Sequence, residues 1–439
     1  MFGTSGIRGP VGETVTADLA LAVGRAVASE GHERVVVGRD VRDSGIVLSD
    51  ALTAGLRECG ADVIDLGVEA TPTVARAVGW LEADAGVVLT ASHNPPADNG
   101  IKLWTRSGKA FGPSQREAIT VRIDRDVFSL ASWDGHGVSR RHDGARERHA
   151  EAIQAAVSLE DPPSVIVDLG NGAGRLTADV LTQLGCRVRT LNGQPDGSFP
   201  GRPSEPEAET LETLMATVAA TDADLGIAHD GDADRMVAVD ETGAFVPKDV
   251  LFALFAREAA GEGDRVAAPV DTSLSVDDAL AHVGASLTKT PVGDVYVAEA
   301  ATRDDVVFGG EPSGAWIWPE ETLCPDGPLA AAKLVALVAR RGPLSALVGS
   351  VETYPIRRES IEVEGKAELM DRVRESALER YADGDVDTLD GVRVEREDGW
   401  FLMRASGTQS LIRLTAEARS DEAVMAVLEE ARGLFEATR

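Results

Sequence analysis

The chain has 439 residues, 43% of them hydrophobic, and a formal net charge of −30. That length exceeds what one hydrophobic core supports, so three or four domains are expected, and the acidity argues against a nucleic-acid partner because phosphate backbones select basic patches. No apolar run approaches the roughly 18 residues of a membrane span, and Cys59, Cys186 and Cys324 are too widely spaced for a zinc site.

In chain order, Val35-Val36-Val37 reads as a buried strand, and the segment Ala51 to Gly67 then runs helix, glycine, short strand. The same pattern returns at Thr177 to Gly193 and at Ala279 to Gly293, with Gly60, Gly185 and Gly284 each ending an apolar-periodic helix as a C′ glycine. A spacing of about a hundred residues between these glycines is that of a domain, not of a solenoid unit. Three α/β domains are therefore expected at 1–146, 147–248 and 249–350. From 351 the character changes. Val392-Arg393-Val394-Glu395 and Trp400-Phe401-Leu402-Met403 flank an Asp398-Gly399 hairpin turn, and a helix over about Glu422–Thr438 follows, giving a smaller α+β domain at 351–439.

Chemistry concentrates in two places. The apolar strand Ala85–Leu89 leads into Thr90-Ala91-Ser92-His93-Asn94-Pro95-Pro96, and the proline pair forbids a helix start, so Ser92 is expected on an exposed loop at a strand end. Ligands of open α/β sheets bind in that position. The second place is Asp230-Gly231-Asp232-Ala233-Asp234-Arg235, a turn between the apolar runs Leu225–Ala228 and Met236–Val239. Carboxylates at this density repel one another unless a divalent cation neutralises them, and Mg²⁺ takes a few protein carboxylates plus phosphate oxygens. An EF-hand places ligands at the spacing of Asp230, Asp232, Asp234 and Glu241, but it needs glycine where Arg235 stands and helices where short strands are expected.

Together with Phe2-Gly3-Thr4-Ser5-Gly6-Ile7-Arg8-Gly9, Gly310-Glu311-Pro312-Ser313-Gly314 and Arg404-Ala405-Ser406-Gly407-Thr408, these motifs resemble those of the α-D-phosphohexomutase superfamily. Five motifs stand in family order from residue 2 to residue 413, and the likeness covers the whole chain. Around Thr290–Val297 and Gly310–Gly314 it is most similar to the phosphoglucosamine mutases, with phosphomannomutase/phosphoglucomutases next, of an archaeal and haloarchaeal type.

The resemblance implies a fold of three α/β domains with mixed sheets and a smaller α+β domain around one central cleft. It implies Ser92 as a phosphoserine and as a ligand, with Asp230, Asp232 and Asp234, of one Mg²⁺ per subunit. Hexose 1,6-bisphosphate is the implied intermediate and activator, and sugar phosphates are the implied small-molecule partners. Arg8, Lys102 and His93 are implied to line the cleft beside Ser92, Lys102 being the preferred base because a lysine desolvated among cations titrates near neutrality. Arg235, Gly293, Glu311 and Ser313 fall to sugar recognition. Arg404, Ser406, Gly407, Thr408 and Arg413 fall to the non-reacting phosphate, where guanidinium forks, hydroxyls and a glycine make an anion site. Ala315 stands where many relatives carry histidine, and Gln409-Ser410 where they carry Glu-Pro. Beyond the sugar phosphates no nucleic-acid or membrane partner is expected, and the protein is read as a cytoplasmic, unexported monomer or homodimer.

Only six of the 43 basic residues are lysine. Hyperthermophile proteins lean toward lysine, so strong acidity with arginine points to a salt-rich cytosol that screens self-repulsion; a GC-rich genome favours the same arginine bias.

Overall fold

The computed structural model describes residues 1–3, 6–381, 385–406 and 410–439. Four sheets follow one another along the chain. The first has six strands in the order Ile7–Pro10, Asp98–Thr105, Ala85–Leu89, Arg34–Arg39, Asp62–Val68, Ser139–Arg141. Its inner strands Ala85–Leu89, Arg34–Arg39 and Asp62–Val68 run parallel, and its first two strands pair antiparallel. The second sheet has the order Met236–Asp240, Leu225–His229, Ser164–Asp168, Arg187–Leu191, and the third Ser286–Thr290, Arg265–Pro269, Val306–Glu311, Ala315–Ile317. Each is parallel except for one antiparallel edge strand. The fold class is thus the mixed α/β architecture expected, with a five-stranded antiparallel fourth sheet.

The three repeated segments become helix Ser44–Glu58, helix Arg175–Gln183 and helix Leu274–Ala281, each followed by its strand. Gly60, Gly185 and Gly284 all take positive φ, at 91°, 95° and 74°, which is why glycine stands there. In the fourth sheet the hairpin turn falls one residue earlier than expected, on Glu397-Asp398, because Gly399 already pairs with Arg396 and Ala418. A Cβ on Gly399 would lie 2.2 Å from the Glu417 carbonyl oxygen, so this glycine serves close strand approach instead of the turn. The last helix spans Asp421–Thr438, with Ser420 accepting from the Ala423 N–H as its cap.

The sheet of the first unit buries side chains on both faces, and the largest core is shared between the second and third units. There Phe252, Phe255, Phe308 and Trp316 meet edge to face or stacked. Burying a phenylalanine of this kind contributes roughly 2 kcal/mol, so this cluster stabilises the third unit, while Leu176, Val180 and Met236 of the second unit join the same core. The fourth sheet docks on the third through Trp400 and Leu402 against Val270, and through buried Glu417, which accepts from Ser273 Oγ (2.5 Å), the Leu274 N–H (2.8 Å) and Trp400 Nε1 (2.8 Å). Among the described residues no helix is long and apolar enough to cross a membrane.

Candidate active site

Ser92 lies just past the carboxyl end of Ala85–Leu89, as expected, but it is not exposed. It is fully buried, at φ 52°. A non-glycine residue in the left-handed region costs on the order of 1–3 kcal/mol and persists where its surroundings impose it. The imposing groups are visible. Thr90 Oγ1 accepts from the Ser92 N–H (2.8 Å) and donates to Asp40 Oδ2 (2.7 Å). The Arg42 guanidinium, paired with Asp40 and stacked over Phe199, donates to the carbonyls of Ser92 (3.1 Å), Asn94 (2.6 Å), Pro95 (2.5 Å) and Asp98 (2.9 Å). One buried cation thereby fixes the whole loop.

Across the cleft, the acidic turn connects the antiparallel strands Leu225–His229 and Met236–Asp240, so it is neither an EF-hand nor a surface turn: Asp230, Asp232 and Asp234 are buried. The Ser92 hydroxyl donates to Asp230 Oδ2 at 2.6 Å, joining the two motifs across 138 residues of chain. Gly231 permits this approach, since a Cβ there would lie 2.6 Å from the Ser92 carbonyl oxygen. One carboxylate oxygen from each aspartate falls within 4.8 Å of the others. Burial and then the charges of Asp234 and Asp232 push the Asp230 carboxyl well above the usual range. Asp232 Oδ1 is buried with no hydrogen-bond partner among the described residues. A crowded carboxylate set with an orphaned oxygen is a site that a cation would satisfy, so the triad fits a metal.

Lys102, on the strand Asp98–Thr105, donates to Asp232 Oδ2 (2.9 Å) and Asp234 Oδ2 (2.5 Å). Its surroundings therefore differ from those expected. Burial alone would lower its pKa, but the two carboxylates outweigh burial and hold it above the ordinary lysine value. Arg8, paired in register with Gly100, contributes further positive charge to the same space, and its Nε is buried without a hydrogen-bond partner among the described residues. His93 Nδ1 lies 3.3 Å from Ser92 Oγ. Burial, then Arg235, Arg8 and Lys102, hold its pKa down to about 2, so the imidazole is neutral.

The remaining candidates line the third unit. Glu311 Oε1 accepts from the Gly293 N–H (2.7 Å), and Ser313 Oγ donates to Oε2 (3.2 Å). Burial and then Asp294 push the Glu311 carboxyl up to about 7. Arg235 forms a bridge to Ala315 and an ion pair with Glu205 (3.5 Å), and carries its charge between Asp230 and Glu311. In the fourth sheet Arg404 and Arg413 stand directly opposite each other, so their side chains share a face. Arg404 reaches the loop of Val292 and Gly293 through Asp390, whose Oδ2 accepts from Arg404 Nη1 (3.3 Å) and from the Val292 N–H (3.0 Å). Ser406 is buried; Gly407 and Thr408 lie outside the described residues, as does Gln409.

Comparison with known proteins identifies the family. The phosphoglucomutase/phosphomannomutase family matches in four pieces: α/β/α domain I at residues 1–129, domain II at 147–243, domain III at 247–354 and the C-terminal domain at 361–434. The chain belongs to the phosphoglucomutase/phosphomannomutase family. Among its relatives, the probable phosphoglucosamine mutase of Methanopyrus kandleri is 48% identical over 430 residues, covering 96% of this chain and 94% of the relative. That of Methanothermobacter thermautotrophicus is 45% identical, covering 99% and 98%. Among solved structures, a phosphoglucomutase/phosphomannomutase family protein from Burkholderia thailandensis is 31% identical with a TM-score of 0.89, covering 100% of this chain and 98% of that one.

Several residues of this family member escape sequence reasoning. Asp40 and Arg42 hold the Ser92 loop, and the signal for them was the charged run Arg39-Asp40-Val41-Arg42 directly after an apolar strand, at the same sheet edge as Ser92. Arg202 plays a matching part in domain II, donating to Asp168 Oδ2 (2.9 Å) and to the His229 carbonyl (2.6 Å) just before the acidic turn. No motif flags it. Thr71 donates to Asp232 Oδ2 at 2.6 Å from a helix of domain I, and nothing in its sequence context points there.

Proposed function

We propose that the protein is a phosphohexomutase that moves a phosphoryl group between the 6- and 1-positions of glucosamine phosphate, with Ser92 carried as phosphoserine. The observation that carries this reading is the 2.6 Å contact from Ser92 Oγ to Asp230 within a buried set of three aspartates. Phosphoryl transfer asks the protein for positioning and charge neutralisation, and this site offers both. Mg²⁺, held by Asp230, Asp232, Asp234 and an oxygen of the serine phosphate, would supply Lewis-acid withdrawal of charge from the transferring group.

The rest falls to the chain. The phosphoserine P–O bond breaks as a P–O bond forms to the sugar hydroxyl, whose proton ends on the released Ser92 oxygen; the reverse step at the other end of the sugar restores phosphoserine. Arg8 and Lys102 hold positive charge beside the transferring group, and neutral His93 orients the serine oxygen. Glu311 and Ser313 bind sugar hydroxyls, Gly293 fixes Glu311, and Arg235 spans sugar and metal loop. Arg404, Ser406 and Arg413 hold the distal phosphate with Gly407 and Thr408. A bisphosphorylated hexose stays bound while it turns, which is why a second phosphate site distinguishes a mutase from a phosphatase.

Glucosamine phosphate is favoured because the relatives sharing 45% and 48% identity over nearly the whole chain are named probable phosphoglucosamine mutases. Mannose and glucose phosphates are the alternative, since a few loop side chains worth a few kcal/mol separate such substrates. A cytoplasmic setting with high salt fits a charge of −30. The test is kcat/KM for the three 6-phosphates with Mg²⁺ and catalytic hexose 1,6-bisphosphate. Preference for glucosamine 6-phosphate supports the reading; binding of all three without turnover makes the chain a sugar-phosphate-binding protein instead, as Ala315, Gln409 and Ser410 would motivate.

A further inference from the structure

We propose that Thr71 is a positioning residue for the metal loop: its clamp on Asp232 leaves one carboxylate oxygen free to face the ion. The proposal rests on the reading of Asp230, Asp232 and Asp234 as a metal site.

Thr71 is the first residue of the helix Thr71–Trp80 in domain I, and it is fully buried against a loop of domain II. It grips Asp232 at two points. The Thr71 N–H donates to the Asp232 backbone carbonyl at 2.9 Å, which satisfies a helix-terminal donor that has no partner within its own helix. The Thr71 hydroxyl donates to Asp232 Oδ2 at 2.6 Å. Lys102 Nζ donates to the same oxygen at 2.9 Å. Oδ2 thus takes two donors while Oδ1, equally buried, takes none among the described residues. A carboxylate held at its backbone and at one oxygen has no freedom to rotate its other oxygen away, so the free Oδ1 is aimed by Thr71. Groups that orient a ligand in this way raise metal affinity without touching the ion.

The helix bearing Thr71 is itself anchored, so the clamp has something rigid behind it. Within the same turn Thr73 Oγ1 lies 2.9 Å from His149 Nδ1, and His149 Nε2 lies 2.9 Å from Asp326 Oδ2. Arg76 Nε donates to that same Asp326 oxygen at 2.8 Å. All four side chains are buried, and Asp326 caps the helix Gly327–Arg341 of domain III, accepting from the Leu329 N–H. The Gly327 N–H in turn donates to the Ala233 carbonyl at 3.2 Å, between Asp232 and Asp234. Domains I and III therefore grip the acidic turn from two sides through one buried network. The bland alternative is that Thr71 merely satisfies its hydroxyl, and the test separates the two.

Mg²⁺ is titrated calorimetrically into the metal-free full-length protein. Thr71→Val keeps the shape and removes the donor, and it should raise the dissociation constant roughly 10–100-fold. The KM for Mg²⁺ should rise in step, while kcat at saturating metal stays near wild type. Thr71→Ser, which keeps the hydroxyl, should restore wild-type affinity, an outcome that a purely structural role would not produce. Wild-type affinity in Thr71→Val overturns the proposal while leaving the metal reading intact. No Mg²⁺ binding by the wild type overturns the metal reading and this proposal with it. If Thr71→Val does not fold, Thr71→Cys, a weak donor of serine's size, is titrated beside Thr71→Ser, and equal affinities overturn the proposal.

Discussion

Ser92 and the three aspartates were legible from the sequence because the chemistry demands particular residue types within one short segment each, so a loop serine and a run of alternating carboxylates announce themselves. What surrounds them was not legible. Arg42 meets the Ser92 loop across about fifty residues of chain, and Lys102 meets Asp232 and Asp234 across about 130, separations at which spacing carries no signal. The surroundings of Lys102 are illegible for the same reason: the charges it faces are those of Asp232 and Asp234, and only the fold chooses those neighbours. Burial of Ser92 was missed because a polar loop reads as exposed until a cation such as Arg42 is seen to satisfy its carbonyls. Arg42→Met tests that cage. It leaves Asp40 buried without its cation, and breaking such a pair costs roughly 3–5 kcal/mol. Thermal unfolding should show that loss, and activity per folded molecule should fall as well, because the Ser92 loop loses four donors. An unchanged melting temperature would mean that Thr90 and Phe199 suffice to hold the loop.

At the level of elements, period and punctuation predicted well. The helix, glycine, strand segments were recognisable because a glycine at positive φ just past a helix leaves few alternatives; Gly60 and Gly185 stand at C′, and Gly284 one residue further on. The Asp398-Gly399 turn was misplaced by one residue because glycine has two uses: Gly399 is needed where strands Gly399–Ala405 and Leu411–Ala418 approach closely, a tertiary demand that overrides turn chemistry. The pairing of Arg404 with Arg413 also came from register, which no local pattern gives. If these guanidiniums hold the distal phosphate, Arg404→Ala loses a charge-assisted contact worth about 1.5–3 kcal/mol, or roughly 10–100-fold in KM. The variant should also release bisphosphorylated sugar, detectable by chromatography, and added hexose 1,6-bisphosphate should partly restore its rate. A variant that neither leaks nor responds places the distal phosphate elsewhere.

For the whole molecule, a charge of −30 spread over four joined units opposes compaction in dilute buffer. Salt at 1 M shortens the screening length to about 3 Å, so melting temperature and activity should both rise between 0.1 M and 1 M KCl; a flat or falling response would assign the acidity and arginine bias to genome composition. The central claim concerns the point where domains I and II meet, at Ser92 and Asp230. Its most direct test is to incubate the protein with hexose 1,6-bisphosphate carrying ³²P, digest it and measure label and mass peptide by peptide, with Ser92→Ala as control. One phosphate on the Ser92 peptide of the wild type, with no label and at least about 10³-fold lower turnover in a normally folded Ser92→Ala, is the predicted result. Label on another residue, or wild-type turnover by Ser92→Ala, would contradict it.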